Sequence, residues 1–201
     1  RNGAWLEPVV INGDLQLDNK VRLCHISKAG DELYLSSRVD YQKDIFVSRY
    51  NDDQWSVAVS LESINTEFNE SFASISPDGQ RLYFSSDRPG GEGALDIYVA
   101  EKTNSGEWSR PRNIGKPVNG IYSEDSPVIT RDGNALYFSS MSHPSLGGHD
   151  IFYSKRLPDG RWSYPANLGF PLNTTADDLH FYPLKNGDQA IYNYGGDKKE
   201  D

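Results

Sequence analysis

Ser76-Pro77-Asp78-Gly79-Gln80-Arg81-Leu82-Tyr83-Phe84-Ser85-Ser86, followed by Asp96-Ile97-Tyr98-Val99-Ala100 and by Trp108, is the stretch from which the fold can be read. Pro77 presets a turn and Gly79 supplies the positive φ that a tight hairpin needs, so Phe72-Ala73-Ser74-Ile75 and Arg81 to Ser86 read as its two strands. A glycine-rich loop, Asp87-Arg88-Pro89-Gly90-Gly91-Glu92-Gly93, separates the hairpin from a third strand beginning at Asp96. A turn at Ser105-Gly106 leads to a fourth strand starting around Trp108, and the chain leaves through Pro117-Val118-Asn119-Gly120. Four short antiparallel strands and a longer exit predict one propeller blade.

The same signals recur along the chain. Gly30, Gly79, Gly133 and Gly187 sit in equivalent turns, Trp5, Trp55, Trp108 and Trp162 in equivalent last strands, and Asp44-Ile45-Phe46, Asp96-Ile97-Tyr98 and Asp150-Ile151-Phe152 begin equivalent third strands. The expected class is an all-β propeller of four-stranded antiparallel blades. Its spans are a partial blade 1–19, blades 20–69, 70–123 and 124–177, and a partial blade 178–201. Cys24/Ile26, Ala73/Ile75, Pro127/Ile129 and Phe181/Pro183 occupy alternating positions of the first strands and predict an apolar face, with Cys24 in the core. Residues 3–12 read as a last strand without its blade and 178–195 as half a blade. That count is one strand short of a closed four-blade ring and favours a segment of a larger one, with the acidic residues 197–201 near an inter-strand loop.

Composition narrows the partners. With 36% hydrophobic residues in 201 the chain can build a core, and a net charge of −9 without a basic cluster argues against nucleic acid and anionic lipid. No run is long enough to span a membrane, so no membrane insertion by this segment is expected. The start at Arg1-Asn2-Gly3 looks like that of a processed or excised piece.

The run Ser76-Pro77-Asp78-Gly79, Leu82-Tyr83-Phe84-Ser85-Ser86, Asp96-Ile97-Tyr98, Trp108, Pro111 and Asn119 resembles the WD40-like propeller repeat of the TolB type. Asp87-Arg88-Pro89-Gly90-Gly91 before Asp96-Ile97-Tyr98 is most similar to the subset in Bacteroidetes cell-envelope proteins, often joined to OmpA-like domains. The resemblance departs at Lys28-Ala29-Gly30, in the first linker, which lacks the counterpart of Asn65, Asn119 and Asn173, and after Tyr194. It implies a non-catalytic protein–protein interaction scaffold, periplasmic or outer-membrane associated, linked to an outer-membrane or type IX secretion assembly. Peptidoglycan would be reached only through another domain.

Blade topology puts the second-to-third-strand loops and the inter-blade crossings on one face of the disc. That loop face is expected to display Arg38, Tyr41, Arg88, Glu92, Tyr122, Glu124, His143 and His149 as a binding surface for a protein partner of the envelope. Glu70, Glu124, Asp125 and Asp178 are expected as an acidic arc at the channel mouth, able to hold a cation or basic group; the simpler account is that they cap exposed amides of the crossings. Asp44, Asp96 and Asp150 recur in every blade and read as loop-fixing residues. His143 and His149 beside Asp150 match no tight ligand pattern and read as solvated loop residues, so no metal is assigned. His25 and His180 read as channel-lining or core residues. No nucleophile elbow, His-Glu-x-x-His or phosphate loop is present. The expectation is therefore no enzyme and no cofactor, with a carbohydrate-binding or glycoside-hydrolase propeller, or the accessory propeller of a peptidase, as alternatives.

Overall fold

A computed structural model describes residues 15–17, 21–184 and 189–192. The expectations placed on residues 3–12, Gly187, Tyr194 and the acidic residues 197–201 lie outside these. Among the described residues all regular structure is β. The first sheet runs β1 (Arg22–Ile26), β2 (Glu32–Val39), β3 (Gln42–Asn51) and β4 (Gln54–Trp55), with β5 (Val59–Ser60) also paired to β3. The second is β6 (Glu70–Ile75), β7 (Arg81–Ser86), β8 (Asp96–Glu101) and β9 (Arg112–Asn113). The third is β10 (Glu124–Ile129), β11 (Ala135–Ser140), β12 (Asp150–Lys155) and β13 (Ala166–Asn167), and β14 (Phe181–Pro183) pairs with β15 (Ala190–Tyr192). Every pairing is antiparallel and, apart from β5 on β3, joins neighbours in sequence, the blade connectivity the repeat predicts.

The Leu-Tyr-Phe-Ser-Ser strand is central in its sheet, and its alternation serves two neighbours. From the second blade, Leu82, Phe84, Tyr98 and Ala100 pack against Tyr34, Ile45 and Val47 of the first. Tyr83, Ile97 and Val99 point the other way, onto Ile129, Leu136, Phe138 and Phe152 of the third. A blade between two others therefore has no polar face, and each large side chain so buried contributes about 1.5–3 kcal/mol.

Two sequence expectations are corrected. First strands do not alternate simply, because the register shifts between Leu23 and His25, between Glu70 and Ala73, and between Asp125 and Val128. These irregularities carry Ser126 at a φ of 53° and turn Cys24 and His25 inward together, leaving Ile26 exposed instead of on the apolar face. The tryptophans, in turn, only begin the outer edge. Trp108 and Trp162 form single bridges to Lys102 and Arg156, and the paired strand resumes at Arg112 and Ala166 beyond a proline. In between, Ser109 and Ser163 hold the edge: each donates its N–H to the carbonyl of Glu101 or Lys155 and accepts that residue's N–H on its hydroxyl.

Phe84 is fully buried, whereas Trp108 only lies over the cluster with Lys102 Nζ 5.3 Å from its ring. Phe84→Ala should cost about 3–5 kcal/mol and Trp108→Ala about 2–3 kcal/mol in urea unfolding, in that order.

Candidate functional site

The crossings are built around three asparagines. Asn65, Asn119 and Asn173 each accept the N–H of Ile45, Ile97 or Ile151 on Oδ1 and donate Nδ2 to the same residue's carbonyl, at 2.8–3.0 Å. One side chain thus pairs with the third strand as another strand would. Five residues later stands a carboxylate that gathers the next amide: Thr66 N–H donates to Glu70, Gly120 N–H to Glu124 and Thr174 N–H to Asp178, at 2.9, 2.9 and 2.6 Å. Ser86 and Ser140 hydroxyls donate to Glu70 and Glu124 from the neighbouring strand, both at 2.8 Å. Glu70, Glu124 and Asp178 are at most 1% exposed. They cap the crossings from within and do not form a solvent-facing arc. Asp125, half-buried, accepts from Ser71 Oγ and Ser126 N–H.

Arg88, expected on the surface, is withdrawn too. Its guanidinium lies 5.0 and 5.1 Å from the Phe84 and Tyr98 ring centres and donates to Glu70 Oε1 and the Ile64 carbonyl. His143 fills the same socket one blade on. It packs on Phe138 and Phe152, equivalents of Phe84 and Tyr98, and its Nε2 meets the carbonyl of Val118, the equivalent of Ile64. It is buried, not solvated. His149 turns elsewhere, its N–H and Nδ1 facing Asp177, whose carboxyl that backbone hydrogen bond holds below its ordinary range. Among the described residues no three His, Cys, Asp or Glu side chains converge as a metal site.

Asp96 accepts the N–H groups of Glu92 and Gly93, and Asp150 that of Leu146. The fit is close: a Cβ on Gly91 would fall 1.8 Å from Asp96 Oδ2. Burial raises the Asp44 and Asp96 pKa, and one oxygen of Asp44, Asp96, Asp150 and Asp178 has no partner. What remains exposed of the expected set is Arg38, Tyr41, Tyr122 and Glu92, the last paired at 3.6 Å with Lys116.

The first strands meet near the axis, where Cys24, Phe72 and Val128 form a cluster joined by Tyr182. Burial pushes the Cys24 thiol up to about 12 and removes it as a nucleophile. His25 accepts the Ile75 N–H on Nδ1 at 3.0 Å, and its burial lowers its pKa to about 4. His180 bonds Ser126 Oγ and stacks on Phe72 beside a cavity of about 490 Å³. Neither the socket of Arg88 nor that of His143 was evident from sequence, although the repeated spacing of Ile64 and Val118 carried the signal.

Known structures share this architecture. The chain aligns with a protein assigned as TolB in Agrobacterium tumefaciens at a TM-score of 0.56 and 18% identity, over 82% of this chain and 56% of that one. TolB from Acinetobacter baumannii aligns at 0.53 and 16% identity, over 81% of this chain and 35% of that one. The fold is that of the TolB-type β-propellers, and the chain spans about a third to a half of their length. No protein-family model and no curated protein matches the sequence.

Arg88→Ala should strand a buried carboxylate and cost about 3–5 kcal/mol in urea unfolding, with Arg88→Lys failing to restore the paired hydrogen bonds. His25 must stay neutral in the fold, so the unfolded chain takes its proton first as pH falls. Its contribution is complete above 6.5 and is lost toward pH 4, by about 3 kcal/mol; stability curves across that range should flatten in His25→Leu.

Proposed function

We propose that this chain is a non-catalytic interaction module of the bacterial cell envelope, holding a protein partner on its loop face. The observation that carries this reading is the character of what the loop face leaves in solvent. Tyr41 is 92% exposed, Ile121 68% and Phe170 83%, and Tyr122 and Leu146 are more than half exposed. All five lie in second-to-third-strand loops or crossings, while Glu70, Arg88, Glu124, His143 and Asp178 of the same face are drawn into the architecture. Large apolar and tyrosine side chains on a rigid frame are what protein interfaces use as anchors.

The same arrangement disfavours the hydrolase alternatives. Glycoside hydrolysis needs two carboxyl groups facing a substrate. Glu70, Glu124 and Asp178 are buried and engage crossing amides. The motif likeness supports placing the module in the periplasm or at the outer membrane, in an outer-membrane or type IX secretion assembly.

Affinity capture from envelope extract should recover partners with the unaltered chain and lose them about tenfold with Tyr41→Ala/Tyr122→Ala, while both proteins melt alike. Retention of every partner by the double variant would remove the loop face from the interaction.

A further inference from the structure

The opposite face of the disc, formed by the tight hairpins, carries a different chemistry. There the Ser76–Gly79 turn of the second blade meets the Thr130–Gly133 turn of the third, close enough that a Cβ on Gly133 would touch Pro77 at 3.6 Å. Between them and the Lys28 turn lies a cleft of about 380 Å³, lined among others by Lys28, Arg81, Arg131 and Arg156. Four cations gather on a chain whose net charge is −9.

Two carboxylates, Asp78 and Asp132, line the cleft with these four cations, which leaves it an excess of positive charge. Arg81 is engaged by Glu101 at 3.1 Å and by Asp78 at 4.0 Å, whereas among the described residues no side-chain hydrogen bond or ion pair is made by Lys28, Arg131 or Arg156. The two aspartates of the cleft are occupied by their own turns. Asp78 accepts from Ser76 Oγ and Gln80 N–H, and Asp132 from Thr130 Oγ, Asn134 N–H and Asn134 Nδ2. These bonds, led by the Ser76 and Thr130 hydroxyls, hold both carboxyls below their ordinary range. Arg156 is half-buried and lines the cleft together with Tyr83, which packs edge-on against Trp162 at 6.0 Å. A half-buried guanidinium without an acceptor, flanked by two further free cations, is an arrangement that an oxyanion completes.

We propose that this cleft between the first hairpins of the second and third blades is an oxyanion-binding site, taking a ligand that presents clustered phosphate or carboxylate groups. It lies on the face opposite the docking surface proposed above and stands whether or not that surface binds a protein. The forked N–H donors of Arg131 and Arg156 would each grip two oxygens, with Lys28 closing over the open side.

The test uses the whole chain and two probes, tripolyphosphate and a hexaglutamate peptide, each followed by calorimetry and by the Trp fluorescence that Trp162 reports beside Tyr83. Sodium chloride at equal ionic strength is the reference. Saturable binding should weaken about tenfold or more in Arg131→Gln/Arg156→Gln and less in Lys28→Gln, and stay unchanged in Arg38→Gln on the other face. Lys28 and Arg131 are exposed, so the Lys28→Gln and Arg131→Gln single variants keep the test open should the double variant unfold. Binding of tripolyphosphate alone assigns a free phosphate ligand, and binding of hexaglutamate alone assigns the acidic segment of a protein. Binding equalled by sodium chloride, or unaltered in the arginine variants, marks an adventitious ion only and overturns the site, as does failure of both probes to bind.

Discussion

The fold hangs on how the chain crosses from the outer edge of one blade to the inner strand of the next. A crossing has to leave a sheet, reverse its direction and enter another, and on the way its peptide groups lose the partners a strand would provide. One asparagine solves the first half of this problem, because its amide presents a donor and an acceptor in one plane, as a peptide group does. Asn119 meets the N–H and carbonyl of Ile97 at 3.0 and 2.9 Å, so the third strand is paired where the fourth has already ended. The carboxylate five residues on solves the second half by collecting an amide of the turn. Asn113 and Asn167 brace the clamp further, accepting from Asn119 and Asn173 at 2.7 and 2.6 Å.

This device accounts for the recurrent acids, for which the sequence left open a channel-mouth arc beside the simpler role of capping the crossings. A buried carboxylate is expensive unless its oxygens are satisfied, and Glu70 reaches that condition with a backbone amide, two hydroxyls and the Arg88 guanidinium. Glu124 makes the same bonds to a crossing amide and a serine, while its blade replaces arginine by His143 in the aromatic socket. The socket accepts either residue because a flat, donor-bearing group is all that two stacked rings and one carbonyl require. Their recurrence from blade to blade marks these groups as parts of the joint.

What could be read beforehand follows from what repeats in sequence. Leu82-Tyr83-Phe84 announces a strand buried on both sides, and the turn at Asp78-Gly79 fixes its register, so the sheets were legible from alternation and turn chemistry alone. The irregularities in the first strands were not. A bulge adds a residue without a compositional mark, and it reversed the facing of Ile26 relative to a plain alternation. The withdrawal of Arg88 was equally hidden, since a loop arginine is usually solvated and its burial depends on a carboxylate 18 residues away, itself placed by the crossing. His143 was obscured by a different loop sequence, although its neighbours Phe138 and Phe152 held their repeat positions.

The two faces of the disc therefore differ for a structural reason. On the loop face the crossings demand carboxylates and a guanidinium inside, and these groups close the joints, so large aromatic and aliphatic side chains stand in solvent beside the few charges that remain there. On the hairpin face the turns are short and satisfy themselves: one hydroxyl and one aspartate close each of them. At the ends of those hairpins Arg81 pairs with Glu101, while Lys28, Arg131 and Arg156 make no side-chain hydrogen bond or ion pair among the described residues. The joints of one face thus draw acid inward, while on the other the turns of the second and third blades close themselves and leave the neighbouring basic side chains at the cleft between them, so the two faces present different chemistry on one rigid frame.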